Sequence, residues 1–289
     1  MIYEVIPLRE GITDATLTSY VPEPVEGPAE LRERPAVIIC PGGAYMGITE
    51  KEAEPVAIRF LAEGFCAFVL RYSVGTGMAR FPSPFIDAAT AVMLVRENAG
   101  RWGIHPDKIC IGGFSTGGHV AAVLAATWQE EYLSKALKKD SAWFKPNALL
   151  LGYPLLDLGR FLLNHRGNTT ELNTLITMML QIILGSDHPE TVSLEEWNVA
   201  NRVTSHMPPT FLWITSEDQL VSAEDYMNFI RTLSDKQIPY EFHVFEKGPH
   251  GISLGDRIVG YYDEALRRLG NTPGWTELFS SWISQQLYK

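Results

Sequence analysis

Ile109-Cys-Ile-Gly-Gly-Phe-Ser-Thr-Gly-Gly-His119 is an apolar run that breaks at glycines around a single serine and continues into an alanine-rich stretch. An apolar run of strand length meeting a run of helix length predicts a strand, a sharp turn and a helix. In a Gly-x-Ser-x-Gly turn the serine, here Ser115, takes a strained backbone conformation. Gly113 and Gly117 lack the Cβ atoms that would collide in so tight a bend. Ser115 is thereby pushed out of the sheet at a helix N-terminus, where the helix dipole and unpaired N–H groups favour a developing negative charge. The pattern alone arises by chance in many chains. The strand before it and the helix after it make Ser115 a candidate nucleophile.

Outward from this turn the chain alternates. Val37 to Cys40 is a short apolar run ending at Pro41-Gly42-Gly43. Ala53 to Glu63 has helical spacing, and Ala67 to Arg71 is a further apolar run. A helix is expected from about Phe85 to Trp102, stopped by Gly103 and Pro106, and a strand from Lys108 to Gly112. Later buried runs are Ala148 to Gly152, Thr210 to Thr215 and Tyr240 to Phe245, with a helical pattern at Ala223 to Leu233. Strands alternating with helices imply an α/β fold: a doubly wound, mostly parallel sheet covered on both faces. Alternation at Ile2 to Leu8 and Thr16 to Val21 predicts an antiparallel hairpin at the sheet edge, followed by a surface loop at Pro22 to Pro28. Between Tyr153 and Arg202 the alternation lapses. The Leu-, Ile- and Met-rich run Thr170 to Leu184 reads there as a helix with no strand after it. The expectation is a single domain over 1–289 with a helical insertion at about 155–201, lying over the active-site edge as a cap or lid, or packing as a plain helix.

The 289 residues, 46% of them hydrophobic, are enough for one large core. No window reaches a membrane span, and the N-terminus has no basic start followed by an apolar core. Cys40, Cys66 and Cys110 lie in or beside predicted core strands and make no disulfide framework, so a reducing cytoplasm is expected. A formal charge of -10 argues against nucleic-acid or anionic-membrane partners and is explained by solubility alone. No clustered Cys/His spacing marks a metal site. The glycines around Ser115 lack the lysine of a phosphate-binding loop, and no cofactor is expected.

A serine hydroxyl needs a neighbouring imidazole to take its proton, and the imidazole needs an acid to hold its tautomer. Doubly wound hydrolases carry these in the order Ser, Asp or Glu, His, each after a strand. Asp218 follows the run Thr210 to Thr215, and His250 follows Tyr240 to Phe245 in a glycine-flanked loop. Glu217 and Asp157 are the rival acids, the second more simply a turn cap. His119, inside the helix after Ser115, reads as a packing residue. His105 sits in a surface turn and His243 in a strand, while His165, His188 and His206 fall in or near the irregular segment. The oxyanion of a tetrahedral intermediate needs N–H donors, and the loop Pro41 to Tyr45 offers those of Gly43 or Ala44 to complement Thr116. Tyr45, Trp197 and Trp213 are candidate stacking surfaces, each more simply read as packing.

Five segments carry a resemblance: CPGGAY (Cys40 to Tyr45), EPVAIRFLAEGFCAFVLRYSV (Glu54 to Val74), DAATAVMLVRENAGRWGIHPDKICIGGFSTGGHVAA (Asp87 to Ala122), PPTFLWITSEDQLV (Pro208 to Val221) and GPHG (Gly248 to Gly251). Together they resemble the α/β-hydrolase superfamily, within it the esterase/lipase branch that includes acetyl-xylan and related carbohydrate esterases. The resemblance implies that Ser115, Asp218 and His250 hold the catalytic positions and that the PGGAY loop is the oxyanion element. Hormone-sensitive-lipase-like relatives carry a histidine before the glycines, where this chain has Pro41, which points away from lipid-directed members. The expected activity is a serine carboxylesterase that removes short acyl groups, acetyl foremost, from a small-molecule ester such as an acetylated sugar. The alternative is an amide-cleaving hydrolase of peptidase or formamidase type with the same triad. A homodimer is a partner the resemblance allows without residue-level support.

Overall fold

The computed structural model describes residues 1–9, 11–23, 33–165, 169–185, 194–256, 258–259 and 274–288, with backbone alone at 12–13. Most of the expected surface loop at 22–28, His188, and parts of the 155–201 segment lie outside the described residues. Eight strands form one sheet in the order β1-β2-β4-β3-β5-β6-β7-β8. They are β1 Ile2–Arg9, β2 Ile12–Val21, β3 Arg34–Cys40, β4 Cys66–Arg71, β5 Ile104–Phe114, β6 Ala148–Gly152, β7 Thr210–Thr215 and β8 Tyr240–Phe245. The hairpin β1–β2 pairs antiparallel with itself and with β4, and every pairing from β4 to β8 is parallel. This is the expected mostly parallel sheet with an antiparallel N-terminal edge. The central strands are continuous apolar runs because both their faces are covered, as Val37 to Ile39 and Ile109 to Ile111, at most 1% exposed, illustrate.

Helices α1 (Glu54–Ala62) and α10 (Trp275–Leu287) pack together, with Phe60 meeting the rings of Trp275 and Phe279 at 6.1 and 5.5 Å. Helices α2 (Ser83–Glu97) and α4 (Ser115–Thr127) make the second packed group, and α4 is buried from Thr116 to Thr127. Between them lie α3 (Ala99–Trp102), a short helix, and beyond α4 comes α5 (Glu131–Leu137). The single helix expected over Phe85 to Trp102 is thus two. Asn98 divides them, its side-chain amide donating to the Leu94 carbonyl at 2.8 Å in competition with the backbone ladder. The strand expected at Lys108 begins at Ile104, directly after the left-handed cap at Gly103. The helical pattern at Ala223 opens as a 3-10 turn held by the Ser222–Asp225 capping box and becomes α9 (Met227–Asp235) only afterwards.

The 155–201 segment contains α6 (Leu158–His165), α7 (Thr170–Leu184) and α8 (Val199–Arg202), and α7 has the bounds its sequence predicts. Helix α10 falls in a part of the chain for which no element was expected. Its Trp275, Phe279, Trp282 and Ile283, all at most 3% exposed, recur at helical spacing and close the sheet face over Phe211 and Trp213.

Register brings the strand ends together. Cys40 of β3 sits opposite Gly113 of β5, Phe114 opposite Gly152 of β6, Gly152 opposite Trp213 of β7, and Thr215 opposite Phe245 of β8. The loops after β3, β5, β6, β7 and β8 therefore leave the sheet along one edge. Strand order also reverses direction between β3 and β5, which is where open parallel sheets place their ligand crevice.

Candidate functional site

Ser115 stands at the junction of β5 and α4 with φ 51°, in the left-handed region, after Phe114 in extended conformation at φ -123°. Close packing enforces the glycines around it. A Cβ on Gly113 would strike the Gly117 carbonyl, and one on Gly117 would strike the carbonyls of Cys40 and Pro41. The turn is pressed directly against the loop that leaves β3.

His250 faces Ser115, with 2.9 Å between its Nε2 and the Ser115 Oγ, and its Nδ1 lies 2.8 Å from Asp218 Oδ2. With Asp218 accepting from Nδ1–H, Nε2 is left as the acceptor toward the serine hydroxyl, the tautomer that proton removal requires. Asp218 has a second task. Its Oδ1 accepts the N–H groups of Leu220 and Val221 at 2.9 and 3.0 Å, which fixes the carboxylate plane, and its side chain is 1% exposed. The rival acids are occupied elsewhere. Glu217 is surface-exposed, pairs with Lys247 at 3.0 Å and accepts the Gly248 N–H, an arrangement that holds its carboxyl below the usual range. Asp157 caps α6 by accepting from the Arg160 N–H at 2.9 Å and from the Asn198 amide at 2.7 Å. His119 is fully buried between the Tyr45 hydroxyl at 2.6 Å and the Trp197 carbonyl at 2.8 Å, and burial lowers its pKa to about 4.

Ala44 and Thr116 line the cleft beside Ser115 and His250. As the second residue of α4, Thr116 has no carbonyl of its own helix to receive its N–H. Ala44, at φ 54°, belongs to a loop folded back by hydrogen bonds from the Met46 and Gly47 N–H groups to the Gly43 carbonyl. Gly43 is set back from the lining residues, and the space a Cβ would take there is filled by the Gly47 carbonyl. The candidate stacking surfaces are packing residues. Tyr45 and Trp213 are fully buried, and Trp197 rests on Phe81 and Phe85 at 5.0 and 5.1 Å.

The cleft itself is small, about 50 Å³, and its walls away from Ser115 are apolar: Leu155, Phe161, Leu175, Ile176, Met179, Leu220 and Val221. Four of these belong to α6 and α7 of the 155–201 segment. Sequence reading leaves them out because apolar residues of a helix carry no mark of which neighbour they meet. It also leaves out Glu52, 2% exposed, whose carboxylate accepts the Gly42 N–H and the Tyr153 hydroxyl, each at 2.7 Å. Burial pushes the Glu52 carboxyl up, against the pull of those two hydrogen bonds. In the sequence it stands within Glu50-Lys-Glu-Ala-Glu54 and looks like part of a solvated charge run.

Comparisons with known proteins address the fold and the family. The BD-FAE family profile matches residues 25–233. Endo-1,4-beta-xylanase B of Butyrivibrio fibrisolvens is 30% identical over 226 residues, which is 78% of this chain and 33% of that protein, so the chain spans about a third of this curated relative. A solved α/β hydrolase enzyme from a Medee basin deep-sea metagenome library is 32% identical with a TM-score of 0.72, covering 100% of this chain and 99% of its own. The acetyl ester-xyloside bifunctional hydrolase of Caldicellulosiruptor lactoaceticus is 28% identical with a TM-score of 0.74, covering 98% and 96%. Among the described residues no helix is long and apolar enough to cross a membrane. With fold and family profile in accord, the chain belongs to the BD-FAE family of α/β hydrolases.

Proposed function

We propose that this chain is a serine carboxylesterase that removes short acyl groups, acetyl foremost, from small polar esters such as acetylated sugars. The observation that carries the reading is the hydrogen-bonded line from Asp218 through His250 to Ser115 at 2.8 and 2.9 Å, set at the mouth of a small apolar cleft. In the first half-reaction Ser115 Oγ attacks the ester carbonyl carbon while His250 Nε2 takes the hydroxyl proton. Asp218 stabilises the imidazolium, and the Ala44 and Thr116 N–H groups receive the oxyanion. His250 then gives its proton to the departing alcohol, leaving an acyl-enzyme. Water enters, gives a proton to His250 and attacks the acyl carbonyl; His250 returns that proton to Ser115 Oγ as the acyl–oxygen bond breaks, releasing the acid and free Ser115. A pocket of about 50 Å³ suits a methyl or ethyl group far better than a fatty chain. The acetyl-ester activity in the name of the Caldicellulosiruptor relative is in keeping with that size.

The same reading treats 1–289 as one domain in which 155–201 is a cap over the acyl pocket. Three buried free thiols accord with a cytoplasmic setting. Ser115→Ala is expected to remove hydrolysis of a chromogenic acetate ester and labelling by a fluorophosphonate, with Tm about unchanged. Retention of either activity sinks the assignment. A panel of acetyl, butyryl and longer esters beside formyl and aminoacyl amides reads the acyl preference, and faster turnover of the amides would move the reading to an amidase.

A further inference from the structure

We propose that Glu52 and Tyr153 form a positioning pair that locks the Gly42–Ala44 loop and the His250 loop into one catalytic geometry. The inference rests on the ester-hydrolase reading above and assigns a role to two residues outside the Ser–His–Asp line. Glu52 Oε2 accepts the N–H of Gly42, two residues before Ala44, and Glu52 Oε1 accepts the Tyr153 hydroxyl. The Tyr153 oxygen in turn accepts the N–H of Ser253 at 2.8 Å, three residues after His250. Ser253 Oγ closes the circuit by donating to the carbonyl of Lys51 at 2.6 Å. The Tyr153 ring also meets the His250 ring edge to face, with 5.1 Å between centroids. One carboxylate thus holds both the loop that presents an oxyanion donor and the loop that presents the base.

The circuit runs close to the reacting serine. A Cβ on Gly42 would stand 2.9 Å from both Glu52 Oε2 and the Ser115 Cβ, so the carboxylate and the nucleophile both pack against Gly42. Backbone strain gathers in the same place. Of seven non-glycine residues with positive φ among those described, Ala44, Tyr45, Ser115, Tyr153 and Ser253 surround this site. Such conformations persist only where the surroundings over-determine them, and the Glu52 circuit ties down Tyr153 and Ser253 directly. A buried carboxylate also opposes folding, since the raised pKa of Glu52 reports a desolvation cost that an amide of the same shape would not carry.

Three variants test the pair. Glu52→Gln keeps the shape and one acceptor. Tyr153→Phe deletes the hydroxyl that joins the loops, and it carries the test alone if the first variant does not fold. The expected result is a kcat on an acetate ester lower by about 10- to 100-fold with KM within about twofold, since donor and base are displaced while the acyl pocket is untouched. Tm is unchanged or raised in Glu52→Gln. The double variant loses no more than about threefold beyond the worse single, because the two residues act as one unit. Unchanged kcat in both singles, losses that multiply in the double, or a lower Tm with kcat intact each overturn the inference. Fluorophosphonate labelling of the parent chain separates the two levels. A parent that neither labels nor hydrolyses esters breaks the functional reading itself, whereas an active parent with unaffected variants breaks only this one.

Discussion

The turn at Ser115 and the helical segment at 155–201 are built on opposite terms. In the turn every position is fixed by near contacts: Gly113 against Gly117, Gly117 against the Cys40 and Pro41 carbonyls, Phe114 against Gly152. Helices α6 and α7 line the cleft through Phe161, Leu175, Ile176 and Met179, side chains that many apolar residues could replace at similar volume. The difference teaches where reaction and selection reside. On the proposed reading, a strand-end turn with no spare volume holds the chemistry constant, while a loosely specified helical layer shapes what enters.

The comparison is open to four tests. The largest effect is expected from Asp218→Asn, which preserves a carbonyl oxygen for the Leu220 and Val221 N–H groups but offers an amide to His250. Forcing the wrong tautomer should lower kcat by roughly 10⁴-fold with little change in Tm, and a loss under tenfold would show that the acid is elsewhere. Next is Gly117→Ala, whose methyl meets two backbone carbonyls. Urea unfolding should show a loss of about 3 kcal/mol or more, and a neutral result would mean the turn is less tight than its geometry.

A comparable effect is expected from pH. His119, with its pKa lowered to about 4 from 6.5, stays neutral in the fold while the unfolded chain takes up its proton. Its contribution is therefore present above pH 6.5 and is lost as pH falls toward 4, amounting to about 3 kcal/mol. His119→Gln should flatten that part of the stability curve between pH 7 and 4, and identical slopes for parent and variant would contradict it. The smallest effect belongs to the cap. Met179→Ala should raise the ratio of butyrate to acetate kcat/KM by about tenfold with acetate turnover nearly kept, and an unchanged ratio would remove the cap from acyl selection.

The fold was legible because parallel strands are apolar throughout and are punctuated by glycine or proline, as at Cys40-Pro-Gly-Gly43 and Gly103. Ser115, Asp218 and His250 could be named for the same reason, each following such a run. What stayed illegible was set by long-range contact. Nothing local separates Glu52 from the exposed Glu50 and Glu54 beside it, although it alone of the three is buried at 2%. The left-handed backbone of Tyr153 likewise comes from the Trp213 and Ser253 groups that surround it, far along the chain. Helix α10, beyond β8, did carry a readable signal in its aromatic spacing.

The closure of Ser253 onto Lys51, across 202 positions, has a consequence for the order of events during synthesis. In a chain made in sequence order, β3 and β4 are both available to pair before Ser253 exists. On the proposed reading the site draws on partners from residue 42 to residue 253, so its geometry closes only once the chain through Ser253 is present. Onset of the proposed activity would then report assembly through Ser253, later than the pairing of β3 with β4.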